Sequence, residues 1–260
     1  MTKQLSRTGF LNLSGLAGLL AALAGCHHDA VVVPALDDAY FPVVVGTYRS
    51  YAVQDTTWTS GVRTVSQYQL RERVAEQFSD AAGQPAYRLV RSRRADATAA
   101  WVDDSIYVVQ PLARAVLLTQ GNVRTVELIY PPQAGKAWNA YAFTVGSQSP
   151  DTITNLTRAY GPTVAQAYTT PAAGAAPAKT YDATVLTKGT LAGGAGQEDV
   201  NVYTQRGLRQ VYARGVGRVL RRRFYYETFT TTANGAQTLT PGVVQNGRAR
   251  RETLLETGRL

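Results

Sequence analysis

The chain of 260 residues is poor in the side chains on which much enzyme chemistry depends. Its one cysteine, Cys26, and its two histidines, His27 and His28, stand together near the start. A single cysteine excludes an internal disulfide, and the chain after His28 has no histidine for a Ser-His-Asp triad. The same part lacks the cysteine and histidine clusters that zinc sites need. We therefore predict no metal site, no cofactor and no catalytic residue in the folded part.

Apolar segments long enough to cross a membrane are also missing. The run Leu16–Gly25 is shorter than the roughly 20 apolar residues of a spanning helix. It ends at Leu23-Ala24-Gly25-Cys26 and follows a basic segment with Lys3 and Arg7 and no acidic residue. A basic segment, a short apolar run and small residues in this order are typical of a secretory signal. Together these residues resemble the lipobox signal of bacterial lipoproteins.

The lipoprotein resemblance implies where the protein is held. In that family the residues before the cysteine are removed and the cysteine is acylated. Residues 1–25 would then be a signal peptide and residues 26–39 a lipidated tether. Two or more fatty chains anchor a protein stably, so we expect a cell-envelope protein held in a membrane through lipid on Cys26. His27 stands where some inner-membrane lipoproteins have aspartate, which favours the outer membrane.

Acidic residues are outnumbered by basic ones, 18 against 27, which gives a formal net charge of +9. Removal of Lys3 and Arg7 with the signal peptide lowers this charge by two, to +7. Positive charge favours anionic membrane surfaces or acidic polysaccharides, although an excess of arginine and alanine is also typical of GC-rich genomes. We expect no nucleic-acid partner for an exported protein, and nothing in the sequence indicates an oligomeric state.

Apolar residues seldom recur with the spacing of a helix, whereas apolar and polar residues often alternate with a period of two. In Ser66–Val74 the residues Tyr68, Leu70, Glu72 and Val74 alternate with polar ones, as in a half-buried strand. Similar patterns and intervening turn residues predict many short strands. The predicted strands are Thr47–Thr56, Ser66–Val74, Ala86–Arg93, Ser105–Val109, Ala115–Thr119, Val123–Tyr130, Tyr141–Val145, Tyr181–Lys188, Asp199–Tyr203, Val219–Thr231 and Arg248–Glu256.

One short helix is predicted around Arg206–Arg214, with Gly215 as its C-cap. Asn234-Gly235 and Asn246-Gly247 are predicted turns, and 169–179 is predicted to be a flexible loop. The fold class that follows is mainly β, an antiparallel and strongly curved sheet or open barrel with one short helix. Residues 40–260 would form a single β domain.

Several short segments resemble a loose group of uncharacterised Gram-negative envelope lipoproteins. The resemblance implies a curved antiparallel sheet, somewhat similar to the open half-barrels of lipoprotein carriers, and no activity. The segments are Phe41-Pro42, Gly46–Tyr48, Tyr51–Val53, Tyr87–Ser92, Gly135–Asn139 and Tyr212–Val219.

Two features are candidates for ligand binding. Glu72 is a lone carboxylate on the apolar face of its strand, which is costly unless the charge is paired. An arginine across the sheet, or an edge position, is the ordinary explanation. In the run from Arg221 to Tyr226, alternation places Arg221, Arg223 and Tyr225 on one face. Such a face could hold acidic sugars or lipid head groups, or it could be an exposed face whose arginine stems cover aromatic rings.

Three functions remain open at this stage. The first is a non-catalytic binding or structural module of the envelope, holding a lipid or apolar ligand against a concave sheet face. The second is a surface protein that binds glycan, and the third is a carboxylate glycosidase. An apolar cavity would favour the first function, an exposed aromatic row the second, and two facing carboxylates the third. We expect no enzyme activity. The residues expected to line the concave face are Tyr68, Leu70, Val74, Tyr87 and Leu89. The acids available to a glycosidase are Asp103, Asp104, Glu127, Glu198, Asp199 and Glu227.

Overall fold

A computed structural model of the protein describes residues 38–143, 157–174, 176–190, 198–234 and 236–260. These residues are almost all in antiparallel strands, so the predicted fold class is confirmed. One turn of 3-10 helix, Asp38–Tyr40, precedes the first strand. The strands are β1 Thr47–Thr59, β2 Val62–Ser79, β3 Pro85–Arg94, β4 Val102–Leu112, β5 Ala115–Gln120, β6 Val123–Ile129, β7 Ala137–Asn139, β8 Thr157–Thr170, β9 Lys179–Thr190, β10 Asp199–Val200, β11 Thr204–Ala213, β12 Gly217–Ala233 and β13 Ala236–Arg259.

The strands form one sheet in the order β6-β5-β4-β3-β2-β1-β13-β12-β11-β9-β8-β7, and β10 pairs with β11. The first and last strands therefore lie side by side in the middle of the sheet. β1 and β13 pair from Thr47 with Arg259 to Trp58 with Gly247. A long antiparallel sheet with strands of this length twists and curls on itself.

One backbone hydrogen bond and several side-chain hydrogen bonds, rather than a strand ladder, join the two edges of the curled sheet. The Val126 N–H of β6 donates to the Ala140 carbonyl just after β7, at 2.8 Å. The Val126 carbonyl accepts from Trp138 Nε1 at 3.0 Å and from Arg158 Nη1 at 3.3 Å. The sheet is therefore nearly closed into a barrel-like shape with one seam between β6 and β7.

One end of the interior is filled by an apolar core. Its buried members come from many strands and from Tyr40 of the 3-10 turn, which is 2 % exposed. Burying each large apolar side chain contributes roughly 1.5–3 kcal/mol, so this end supplies much of the stability. The buried residues of this core are Tyr40, Val74, Leu89, Tyr107, Val109, Val116, Leu128, Tyr130, Tyr160, Val185 and Tyr212.

The helix predicted around Arg206–Arg214 is wrong, because these residues belong to β11 and its following turn. β11 pairs with β9 on one side and with β12 on the other, so tertiary pairing overrides weak helical propensity. Gly207 and the β-branched Val211 also disfavour a helix. Gly215 does adopt a left-handed conformation, with φ of +73°, but it does so in the turn that joins β11 to β12.

A predicted turn, a predicted strand and a predicted loop differ in how well they match the structure. Asn246-Gly247 is not a turn but lies inside β13, where a Cβ on Gly247 would stand 2.7 Å from the Tyr225 carbonyl. Residues 141–143 form a turn instead of a strand, and β7 and β8 were not predicted there. The predicted loop at 169–179 falls on the connection of β8 to β9, with its ends inside those strands.

The predicted signal peptide, Cys26 and the tether up to residue 37 lie outside the described residues. Residues 144–145, the end of one predicted strand, also lie outside them. Across the part that the structure describes, no helix has the length and apolar character to cross a membrane. Leu36–Leu260 groups as one unit by its internal contacts.

Candidate functional site

A cavity of about 400 Å³ lies on the inner face of the sheet, beside the apolar core, with which it shares Tyr107. This volume is within the range of small-molecule sites, roughly 300–1,000 Å³. Five arginines and two carboxylates dominate its lining, so it carries three more positive than negative groups. The charged lining residues are Asp55, Arg91, Arg221, Arg223, Arg248, Arg250 and Glu252, and the neutral polar ones are Thr56, Thr57, Ser66, Tyr107 and Gln120.

Strand alternation explains why these arginines meet on one face. In β12, Arg221 and Arg223 are two residues apart and line the cavity, whereas Arg222 between them does not. The register of β12 with β13 pairs Arg221 with Glu252 and Arg223 with Arg250. Tyr225 follows on the same face, and its hydroxyl donates to Glu227 Oε1 at 2.6 Å. Of the predicted trio, two arginines therefore line the cavity, and Tyr225 lies beyond it.

Like charges oppose one another at the outer part of the cavity. Arg223 and Arg250 are direct cross-strand partners, and such pairs of like charge are destabilising. Burial, with the positive charge of Arg248 next, lowers the pKa of the Arg223 guanidinium. The cavity thus has a positive electrostatic potential that favours an anion.

Asp55 holds Arg250 in place at the edge of this cavity. Arg250 donates from Nε and Nη2 to the two carboxylate oxygens of Asp55, at 2.7 and 2.8 Å. The Tyr68 hydroxyl donates to Asp55 Oδ2 at 2.9 Å, and the Arg93 guanidinium lies 4.0 Å from the Tyr68 ring centre. Burial raises the pKa of Tyr68 to about 12, so its hydroxyl keeps its proton. Tyr68 therefore positions a charged pair and does not line an apolar surface.

The inner end of the cavity rests on a buried network of four charges. Glu72 Oε1 accepts from Arg91 Nη2 at 2.6 Å and from Arg218 Nη2 at 2.7 Å. Arg218 Nη2 also donates to Glu252 Oε2 at 3.2 Å. Arg91 is the cross-strand partner of Glu72, so the expected arginine across the sheet is present. Burial raises the pKa of Glu72, but Arg218 and Arg91 outweigh it and hold that pKa well below its usual range.

Some of the cavity-lining arginines retain a buried donor without a protein acceptor. The Nε atoms of Arg91 and Arg221 are buried and have no hydrogen-bond partner among the described residues. Arg91 is also 6 % exposed, so its guanidinium is held deep in the fold. A buried donor that lacks an acceptor costs about 1–3 kcal/mol.

A second buried ion pair lies beside this network and was not predicted. Glu127 Oε2 is 2.9 Å from Arg158 Nη1, and Thr125, Gln210 and Tyr212 also donate to the Glu127 carboxylate. Burial raises the pKa of Glu127, but Arg158 outweighs it and lowers the value to about 2. A fixed, ionised carboxylate of this kind anchors β6 against the β8 side of the seam.

Four of the six acids proposed for a glycosidase, Asp103, Glu127, Glu198 and Glu227, are held by partners of their own. Asp103 is paired with Arg73 at 3.0 Å, and Glu198 is paired with Arg209. Glu227 accepts from the Tyr225 hydroxyl and from Asn246 Nδ2. A glycosidase acid needs a raised pKa, whereas the pKa of Glu127 is lowered. The Asp199 side chain lies outside the described part of the structure.

Aromatic side chains form a row on the opposite, outer face of the same strands. Trp58 meets Tyr226 edge to face, with ring centres 5.2 Å apart, and Tyr226 stacks on Phe224 at 5.3 Å. The Arg222 guanidinium lies 5.0 Å from the Phe224 ring centre. This contact between an arginine and an aromatic ring lies on the face opposite Arg221 and Arg223. The aromatic row and the arginine cavity are therefore on different faces.

The apolar residues expected to line a concave face lie in packed clusters instead. Val74 and Leu89 are in the apolar core, and Tyr87 packs against it. Leu70 and Tyr68 pack with Val53 in a smaller buried cluster. None of these residues lines the arginine cavity, so the space inside the sheet is polar and charged.

Comparison with protein-family models, with curated proteins and with solved structures returns no match for this chain. The functional argument therefore rests on the site itself. The cavity residues that sequence reasoning missed are Asp55, Arg91, Arg248, Arg250 and Glu252. The alternation of Arg248, Arg250 and Glu252 along one strand was the signal available for three of them.

Proposed function

We propose that the protein is a lipid-anchored, non-catalytic binding module of the cell envelope that holds a small acidic ligand inside its sheet. Acylated Cys26 would anchor it in the outer membrane, with the β domain at the membrane surface. The observation that carries the proposal is the charge of the cavity, where five arginines face only two carboxylates.

A structural role alone does not account for this lining. Buried or half-buried charges are costly unless they are paired, and a barrel interior is ordinarily filled by apolar side chains. The apolar end of this interior follows that rule, whereas the arginine end departs from it. Residues that lower stability locally, such as these interior charges, are expected at functional sites.

The charge of the lining also favours an acidic ligand over an apolar one. Guanidinium groups lose solvation without compensation when an apolar chain lies against them. A carboxylate, phosphate or sulfate instead forms charge-assisted hydrogen bonds with arginine. The proposal therefore keeps the binding role expected from the sequence and changes the chemistry of the ligand.

A glycan-binding surface is the second candidate, and the outer aromatic row favours it. Trp58 of β1 and Tyr226 of β12 lie in contact across β13 and are partly exposed. Tyr226 stacks on the buried Phe224, which has Arg222 beside it. Flat apolar ring faces with a nearby donor suit a sugar. The two candidate functions use opposite faces of the sheet, so a substitution on one face should affect only one of them.

The test is to identify what copurifies with the protein. The protein is purified from membranes in a non-ionic detergent, examined by native mass spectrometry and extracted for small-molecule analysis. We expect an acidic molecule with the wild type and with Arg222→Gln, the matched outward-facing control. The Arg221→Gln/Arg223→Gln double variant should lose it. Copurification of only a neutral lipid, or retention by the double variant, would overturn the cavity as the site. Loss of a bound glycan with Trp58→Ala would favour the second candidate.

A further inference from the structure

The charge pattern inside the cavity restricts the ligand further. Arg250 contacts the carboxylate of Asp55, and Arg91 contacts that of Glu72. Arg221, Arg223 and Arg248 complete the positive lining, and Arg223 faces the like charge of Arg250 across the strands. The seven charged side chains together are three more positive than negative.

A singly charged ligand does not balance such a lining. A carboxylate brings one negative charge and two oxygens, which a single guanidinium satisfies in a bidentate pair. A phosphomonoester brings about −1.5 to −2 charge and three strong acceptor oxygens, so several guanidinium groups can share it. Clustered arginines are a recurrent means of recognising phosphate because their planar donor fork matches its oxygens.

We propose that the ligand is a small phosphomonoester whose phosphoryl group is bound by Arg221, Arg223 and Arg248. This inference rests on the proposed function and specifies its ligand class. The phosphoryl oxygens would accept from these guanidinium groups, including the buried Nε of Arg221, and would offset the repulsion between Arg223 and Arg250.

The depth and polar lining of the cavity indicate the chemistry of the part of the ligand that carries the phosphoryl group. Arg248 is exposed, Arg221 is partly buried and Arg91 is buried, so the lining runs from solvent into the fold. Thr57, Ser66 and Gln120 supply neutral hydrogen-bonding groups along it. A cavity of about 400 Å³ has room for more than a phosphoryl group. A hydroxylated body, as in a sugar or glycerol phosphate, fits this polar lining.

A matched series of three-carbon compounds tests the charge requirement. The full protein is purified from membranes, placed in nanodiscs of zwitterionic lipid and titrated by calorimetry with glycerol 3-phosphate, glycerate and glycerol. We expect glycerol 3-phosphate to bind about tenfold or more tightly than glycerate, a difference that corresponds to about 1.4 kcal/mol, and glycerol not to bind. Equal binding of glycerate would overturn the phosphomonoester assignment but leave an acidic ligand. Absence of binding by either anion, with no acidic molecule in the extract, would overturn both.

Two variants decide whether the binding occurs in the cavity. Arg223→Gln should weaken glycerol 3-phosphate by about tenfold or more, because it removes one charged donor fork. Arg222→Gln, one residue away on the outer face, should leave the affinity unchanged. Equal effects of the two variants would indicate general charge attraction and overturn the site.

The phosphomonoester could come from a soluble metabolite or from a lipid head group. Nanodiscs that contain phosphatidic acid distinguish these sources. If the head group reaches the cavity, such nanodiscs will abolish the glycerol 3-phosphate titration of the wild type. If the titration persists with unchanged affinity, the ligand is the soluble phosphomonoester.

Discussion

Replacing Glu72 by glutamine tests whether the buried charge network holds the inner end of the cavity together. Glu72 binds Arg91 and Arg218 at 2.6 and 2.7 Å, and all three side chains are 7–9 % exposed. Glutamine keeps the size of the side chain but removes the charge. The two arginines would then share Glu252 alone, at 3.9 and 3.2 Å. Breaking a buried pair in this way typically costs about 3–5 kcal/mol.

That cost is large relative to the stability of a domain, about 5–15 kcal/mol in total. For a domain of about 200 residues each kcal/mol lowers the Tm by about 2–4 °C, so Glu72→Gln should lower it by roughly 6–20 °C. Urea unfolding followed by circular dichroism measures the free-energy change directly. The dependence of that free energy on urea should be unchanged, because the same surface is exposed on unfolding.

Glu76→Gln is the matched control on the same pair of strands. Glu76 binds Arg88 at 2.8 Å, but both side chains are 48 % exposed. An exposed pair contributes at most about 1 kcal/mol, so this variant should be close to the wild type. If Glu72→Gln is destabilised no more than Glu76→Gln, the buried network does not stabilise the fold, and the reasoning fails.

Three further predictions concern pH, a glycine and an arginine. The pKa of Glu127 is lowered from 4.5 to about 2 in the fold, so its contribution is present above pH 4.5 and is lost as the pH falls towards 2. Acid unfolding should therefore show a loss on the order of 3 kcal/mol that Glu127→Gln abolishes, and a flat profile there would refute it. Gly217→Ala should cost about 1–3 kcal/mol in thermal unfolding, because φ is +95° and the new Cβ would lie 2.7 Å from Arg49 Nε. Gly242→Ala, in open space at a similar φ, should cost less, and the reverse order would contradict the packing argument. Arg223→Gln without ligand should lower the Tm less than Arg91→Gln, because it also removes the repulsion with Arg250, and a larger fall than with Arg91→Gln would contradict this.

Much of the fold could be predicted from local alternation. Ten predicted strands overlap β1, β2, β3, β4, β5, β6, β9, β10, β12 and β13, because period-two patterns and turn residues depend only on a few neighbouring residues. Asn234 has the positive φ angle that its predicted turn favours.

The errors arise where distant pairing decides the local structure. Around Arg206 the residues form strand β11 because they pair with β9 and β12. These partners are distant in sequence, so the local pattern alone could not predict the strand. Asn246-Gly247 has the sequence of a hairpin turn but sits opposite Trp58 and Tyr226 in mid-sheet. In β8 the irregular register between Tyr160 and Val164 interrupts the alternation that predicts a strand.

The site was predictable only in part, for the same reason. Alternation placed Arg221 and Arg223 on one face, and the cost of a lone carboxylate predicted an arginine partner for Glu72. That partner, Arg91, comes from the adjacent strand, whereas Arg218 comes from β12 and depends on the curling of the sheet. The cavity forms only when the sheet curls and brings distant strands together, so its position could not be predicted from any single strand.

The most direct test of the acidic-ligand cavity is to locate a doubly charged tetrahedral anion in crystals of the protein. Tungstate serves as the probe, because its anomalous scattering marks each bound ion without ambiguity. The account predicts a peak inside the sheet, within hydrogen-bonding distance of Arg221 and Arg223. Peaks confined to outward-facing arginines such as Arg222, with none in the cavity, would contradict it.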